Sequence, residues 1–159
     1  MKDSPIVIYT DGSCNPKYKI GAWAAILFLH KQRIVLSGNE EQTTHQRMEL
    51  TAVIKAFEYL AQANATAPNI MVFTDSQYVA GIPARSSKLT ERSFVTRGGM
   101  PIHNNDLLQL LIASIEKMKP VFVKVKAHQQ VDAQNINHEV DKLSRKLARE
   151  AVEQIKKKE

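Results

Sequence analysis

Four acidic residues stand where elements of secondary structure end or begin. Asp11 closes an apolar run over residues 6–10, and Asp75 closes a second over 70–74. Glu49 and Asp141 sit early in two stretches with helical spacing. Strand ends and helix starts are where one sheet and its packed helices can bring side chains together. Converging carboxylates repel, and divalent cations that prefer oxygen ligands relieve that repulsion. Two magnesium ions ~3.5–4 Å apart could be shared by these groups and a phosphodiester oxygen. One would lower the pKa of an attacking water, and the other would stabilise the departing sugar oxygen. The chemistry expected is metal-assisted in-line hydrolysis.

Each carboxylate also has a plain structural reading. Asp11 before Gly12 could be a turn aspartate, and Asp75 before Ser76 a cap or turn residue. Glu49 could be a solvated helix glutamate, and Asp141 could favour the positive end of its helix. One shared site accounts for all four together. His128 follows a strand-like run in a loop with few apolar residues, where a histidine can shuttle protons near neutral pH. Its plain reading is a surface histidine. His30, His45, His103 and His138 show no zinc-type spacing.

These residues need a sheet behind them. Residues 6–10 read as a buried strand, broken by a turn that starts at Gly12-Ser13-Cys14-Asn15-Pro16. Residues 21–29 and 33–38 follow as strands joined by a short polar connection, giving an antiparallel meander. Thr43-Thr44 offers a helix cap, and Leu50, Val53, Ile54, Phe57 and Leu60 then recur at helical steps until Asn64 and Pro68. Residues 70–74 form the next strand, and Ser76 caps a short helix that ends by Pro83. A helix between two strands suggests a parallel crossover, so Asp11 and Asp75 would end adjacent parallel strands, where ligands of α/β sheets collect.

Residues 83–103 read as irregular and basic, with Arg85, Lys88, Arg92 and Arg97. A helix over 107–117, a strand over 121–125, a loop over 127–136 and a last helix carrying Val140, Leu143, Leu147 and Ala151 complete the chain. The class expected is α/β: a five-stranded mixed sheet with helices on both faces, in a single domain over 1–159. The ordered core would span about 5–154, and Lys156-Lys157-Lys158 would be a frayed, solvated tail.

Composition narrows the function. The chain has 159 residues, 43% of them hydrophobic, enough for a real core. Its formal net charge of +6 favours a polyanionic partner such as nucleic acid. Cys14 is the only cysteine, which excludes an intrachain disulfide and a cysteine-rich zinc site. No apolar run approaches the ~18–20 residues that span a membrane, and no signal-peptide core opens the chain. A free-standing cytoplasmic monomer without an obligate protein partner is the expectation.

Five blocks in order carry a resemblance. They are Tyr9-Thr10-Asp11-Gly12-Ser13-Cys14, Thr44-His45-Gln46-Arg47-Met48-Glu49-Leu50, Phe73-Thr74-Asp75-Ser76-Gln77-Tyr78-Val79, Val125-Lys126-Ala127-His128 and Asn137-His138-Glu139-Val140-Asp141. The series resembles the signature of type 1 ribonuclease H, over nearly the whole chain. The resemblance implies the ribonuclease H-like fold, with strand order 3-2-1-4-5, and endonucleolytic cleavage of the RNA strand of RNA–DNA hybrids. It implies two Mg²⁺ ions, with Mn²⁺ as a substitute, and products with 5′-phosphate and 3′-hydroxyl ends. By residue-level match, Asp11, Glu49, Asp75 and Asp141 are the metal-binding carboxylates, and His128 serves proton transfer or product release. Cys14, Asn15, Thr44, Ser76 and Gln77 match hybrid contacts.

Two departures stand out. His45 and Gln46 occupy positions where many members carry asparagines that touch the hybrid. The segment from Arg85 to Arg97 takes the place of a basic protrusion but lacks its tryptophans and dense lysines. The competing readings are a non-catalytic hybrid-binding module, whose signature would be a lost carboxylate, and a different nuclease on the same fold.

Overall fold

β-Branched and aromatic residues start the first strand, β1 (Ile6–Asn15). In the computed structural model, which describes residues 4–126 and 132–158, β1 is the hub of a sheet. It pairs antiparallel with β2 (Ile20–Leu29), which pairs antiparallel with β3 (Gln32–Glu40). His30 and Lys31 join these two strands with φ of 47° and 71°. Two consecutive positive φ angles give a hairpin turn whose twist matches its strands. On the other edge of β1, β4 (Ile70–Thr74) runs parallel, followed by β5 (Val121–Lys124). The strand order is β3-β2-β1-β4-β5, as expected.

The sheet's pleat sorts its residues onto two faces. Ile6, Ile8, Ala25 and Leu27 point to the face covered by α1 (His45–Gln62) and α4 (Asn105–Met118), meeting Leu50, Val53, Phe57, Leu60, Leu108 and Leu111. Burying a side chain such as Phe57 or Leu50 contributes ~2–3 kcal/mol. Tyr9, Ala24 and Ile26 face the other way, toward Val140 of α5 (Asp132–Lys157). Tyr9 stacks on Phe73 with ring centroids 4.9 Å apart. Trp23 is buried against Met48 and Ala52. Among the described residues, no helix is long and apolar enough to cross a membrane.

Three expectations need correction. β1 does not break at Gly12: it stays paired with β2 through Asn15, which lies opposite Ile20. The glycine serves a close approach rather than a turn, because a Cβ there would lie 2.4 Å from the backbone nitrogen of Glu49. Residues 83–103 are not irregular throughout. After α2 (Gln77–Ala80), α3 (Ile82–Glu91) takes Pro83 into its first turn, where no amide partner is needed. Finally, α5 begins at Asp132 and continues to Lys157. The reading of a loop over 132–136 and of a frayed lysine tail gives way to one helix, whose start lacks apolar spacing and whose end packs on Tyr18, while the earlier part of that loop, 127–131, lies outside the described residues.

Candidate active site

Register places the first two carboxylates level. Tyr9 lies beside Phe73 in the parallel β1–β4 pair, and Asp11 and Asp75 each come two residues later. Glu49 arrives from α1. Thr44 caps that helix, accepting a hydrogen bond on Oγ1 from the Arg47 amide at 3.2 Å. Gly12 then lets the helix backbone rest on β1 at Met48 and Glu49. As a result Asp11, Glu49 and Asp75 each offer a carboxylate oxygen within 4.8 Å of the others. Asp11 is 6% exposed and Glu49 7%. Asp141 comes from α5 close enough to Asp11 to perturb its protonation. Arg145, one turn on, pairs with Asp141 at 3.1 Å.

Crowding shows in the protonation equilibria. Burial pushes the Asp11 carboxyl up to about 9, and Asp75 and Asp141 add to the rise while the Gly12 amide opposes it. Asp75 is also raised, by burial and then by the charges of Glu49 and Asp141. A hydrogen bond to Glu49, at 3.4 Å from Nε2, holds the His45 imidazole above its ordinary value. Three converging carboxylates, an all-oxygen donor set, suit a hard divalent ion, so the site fits magnesium or manganese better than zinc.

The remaining expected contacts flank this centre. Cys14 Sγ leans on the carbonyl of Thr43 at 3.6 Å. Asn15 accepts from the amides of Lys17 and Tyr18 at 3.0 and 3.2 Å, which shapes the turn after β1. Ser76 is buried and caps α2, accepting from the Val79 amide at 3.1 Å. Gln77, the first residue of α2, is exposed, as are Thr44, His45 and Gln46. His128 lies outside the described residues.

A cluster that spacing did not reveal adjoins Gln46. Asn104 is buried, with φ of 62°, just ahead of α4. It donates to Gln46 Oε1 at 3.4 Å and to the Tyr78 hydroxyl at 3.3 Å. Arg47 grips Asp106 with two hydrogen bonds of 3.0 and 2.8 Å, tying the start of α1 to the start of α4. The local signal was the Asn104-Asn105-Asp106 helix start, which gave no hint of partners 58 residues away.

Comparison with known proteins agrees with this geometry. The RNase H family model matches residues 3–149. A ribonuclease H of Thiobacillus denitrificans is 38% identical over 124 residues, covering 77% of this chain and 81% of the relative. One from Dechloromonas aromatica is 33% identical, covering 97% of each. Among solved structures, a foamy viral protease-reverse transcriptase in complex with RNA/DNA hybrid superposes with a TM-score of 0.75 at 19% identity, over 90% of this chain and 20% of that one. At that identity the likeness concerns the fold alone. By the family match and these relatives, the chain belongs to the RNase H family and is an endoribonuclease.

Proposed function

We propose that the chain cuts the RNA strand of RNA–DNA hybrids, leaving 5′-phosphate and 3′-hydroxyl ends. The observation that carries this reading is the convergence of Asp11, Glu49 and Asp75, each offering a carboxylate oxygen within 4.8 Å of the others, with Asp141 near enough to raise the Asp11 carboxyl. Relatives named ribonuclease H support it. In this reading the four carboxylates hold two divalent ions, Mg²⁺ by preference and Mn²⁺ as a substitute. When bound, such ions neutralise the phosphate, lower the pKa of the attacking water and offset charge on the leaving oxygen.

The chain's own residues do the rest. Gly12 and the α1 backbone fix Glu49, and the β1–β4 register fixes Asp11 beside Asp75. His128 is the proposed proton-transfer and product-release residue. Cys14, Asn15, Thr44, His45, Gln46, Ser76 and Gln77 hold the hybrid. They border the carboxylates with small polar groups and backbone, which suits recognition of a 2′-hydroxyl and of groove shape without base readout.

One labelled sequence, prepared as hybrid, double-stranded RNA, double-stranded DNA and single-stranded RNA, tests the proposal with Mg²⁺ and with EDTA. Metal-dependent cutting of the hybrid's RNA strand alone is expected. Hybrid binding without cutting would replace the proposal with a binding module. Cutting of duplex DNA would replace it with another nuclease.

A further inference from the structure

A groove runs between the end of β1 and the second half of α5. Its near part, about 280 Å³, lies between residues 13–16 and Arg145 and Arg149. Its far part, about 650 Å³, is lined by Lys146, Arg149, Lys156 and Lys157, with Glu150 and Glu153 among them. Asn15, Arg149 and Val152 border both parts, so the two adjoin. The helix can lie this close because Ser144, Ala148 and Val152, at four-residue steps, are its buried spine.

The outer side of α5 is strongly cationic. Between Lys142 and Lys158 there are seven Lys and Arg against Glu150 and Glu153, a surplus of five in a chain whose formal net charge is +6. All of these side chains are exposed. Glu153 pairs with Lys156 at 3.5 Å, and Arg145 with Asp141 at 3.1 Å. The far end is anchored rather than frayed. Lys156 Nζ lies 5.7 Å from the centre of the Tyr18 ring, and Lys17 Nζ lies 5.4 Å from it. The Tyr18 amide is in turn held by Asn15.

We propose that this groove binds the phosphate backbone of the hybrid's RNA strand beyond the cleavage position; the proposal rests on the hybrid-cutting reading above. The cut strand must cross the carboxylates, and the groove begins at Arg145, the partner of Asp141. From Asp141 to Lys156 a helix rises ~22 Å. At ~3.4 Å per nucleotide, that length follows about six phosphates of one strand. The contacts are to backbone charge, so they add grip without adding sequence preference.

The test uses the full chain and a variant with Lys146, Arg149, Lys156 and Lys157 all changed to Gln. A control variant changes Lys31, Lys55, Lys117 and Lys119 to Gln, an equal loss of charge elsewhere. The substrates share a short hybrid core that is blunt, extended on both sides by RNA alone, or extended by DNA alone. Cleavage and, in EDTA, fluorescence anisotropy are followed from about 50 to 200 mM salt. On the RNA-extended hybrid the groove variant should raise KM about tenfold or more, with kcat within about twofold. Its slope of log affinity against log salt should be shallower by about three. On the blunt core it should match the parent chain, and the control should match everywhere. Equal behaviour of groove variant and parent on the RNA extension overturns the proposal. So does an equal loss in the control, or an effect confined to the DNA extension. If the parent cuts no hybrid, the proposed function fails by itself, and the anisotropy series still decides whether the groove takes RNA.

Discussion

α1 and α5 cover opposite faces of one sheet, and each brings a carboxylate to Asp11, yet they are built in opposite ways. Ten residues of α1 are buried, Glu49 among them. Its backbone touches β1 through the missing side chain of Gly12. By contrast, α5 buries a narrow spine, exposes its charges, and leaves the Asp141 side chain 26% exposed beside Arg145. It is also tied to β3 by a hydrogen-bonded ion pair between Arg33 and Glu139. The contrast separates two ways of placing a functional group. Glu49 is placed by contact of main chain with main chain. Asp141 is placed by side chains, which can adjust.

The sharpest way to break this contrast is Gly12→Ala. The new methyl would meet backbone of α1 at 2.4 and 2.5 Å, which no rotamer can relieve. A loss of at least ~3 kcal/mol in urea unfolding and of more than about 100-fold in hybrid cleavage is expected. On the α5 side, Ser144→Ala removes a hydroxyl that donates to the Asp141 carbonyl at 3.1 Å. That change should cost ~1 kcal/mol and leave cleavage within a few fold. Comparable effects at the two positions would end the distinction.

Asp11→Asn probes the charge that both helices surround. Cleavage should fall by more than about 100-fold while hybrid binding persists. Stability should move the other way. The folded chain holds the Asp11 proton up to about 9, far above the ordinary 3.8. The native state then binds more protons than the unfolded state between those limits, so metal-free stability is greatest at low pH and falls as pH rises toward 9. At pH 8 in EDTA the variant should melt at least ~3 °C above the parent chain, and near pH 4 the gap should shrink. Mg²⁺ should raise the parent's melting temperature more than the variant's. A gap independent of pH would show that Asp11 is not the strained group.

Asn104→Ala sharpens the α1 side. It strips Gln46 and Tyr78 of a partner in a half-buried cluster. KM for the hybrid should rise by about five- to tenfold, with a smaller change in kcat. An unchanged KM would mean that Gln46 needs no such support. The smallest effect is expected from neutralising Arg85, Lys88, Arg92 and Arg97, all exposed on α3 and the segment after it. At low salt KM should rise a few fold, more than kcat falls, and the difference should fade as salt is added.

Much of this architecture was legible because period and burial coincide. Alternating and continuous apolar runs marked all five strands, and the three- and four-residue steps from Leu50 to Leu60 marked α1. What stayed hidden depended on tertiary context. Gly12 in Gly-Ser-Cys-Asn-Pro carries turn letters, yet its role is set by a helix that approaches from elsewhere. Pro83 looks like a breaker in sequence and acts as a first-turn residue of α3. The lysine run at the end reads as frayed in sequence; its side chains are exposed, but α5 continues to Lys157 with Lys156 over the Tyr18 ring. The carboxylates could be singled out because Asp11 and Asp75 close apolar runs and Glu49 and Asp141 fall in stretches with helical spacing, whereas the Asn104 contacts join residues 26 and 58 positions apart and leave no local trace.

The continuation of β1 past Asp11 has a consequence for motion. Four further residues, from Gly12 to Asn15, remain paired with β2, so the carboxylate hangs from the interior of a ladder and not from its fraying end. In deuterated water the amides around Asp11 should be among the last to exchange, opening only when the whole domain opens. On that expectation, the carboxylate that meets a charged substrate is mounted where the chain opens late.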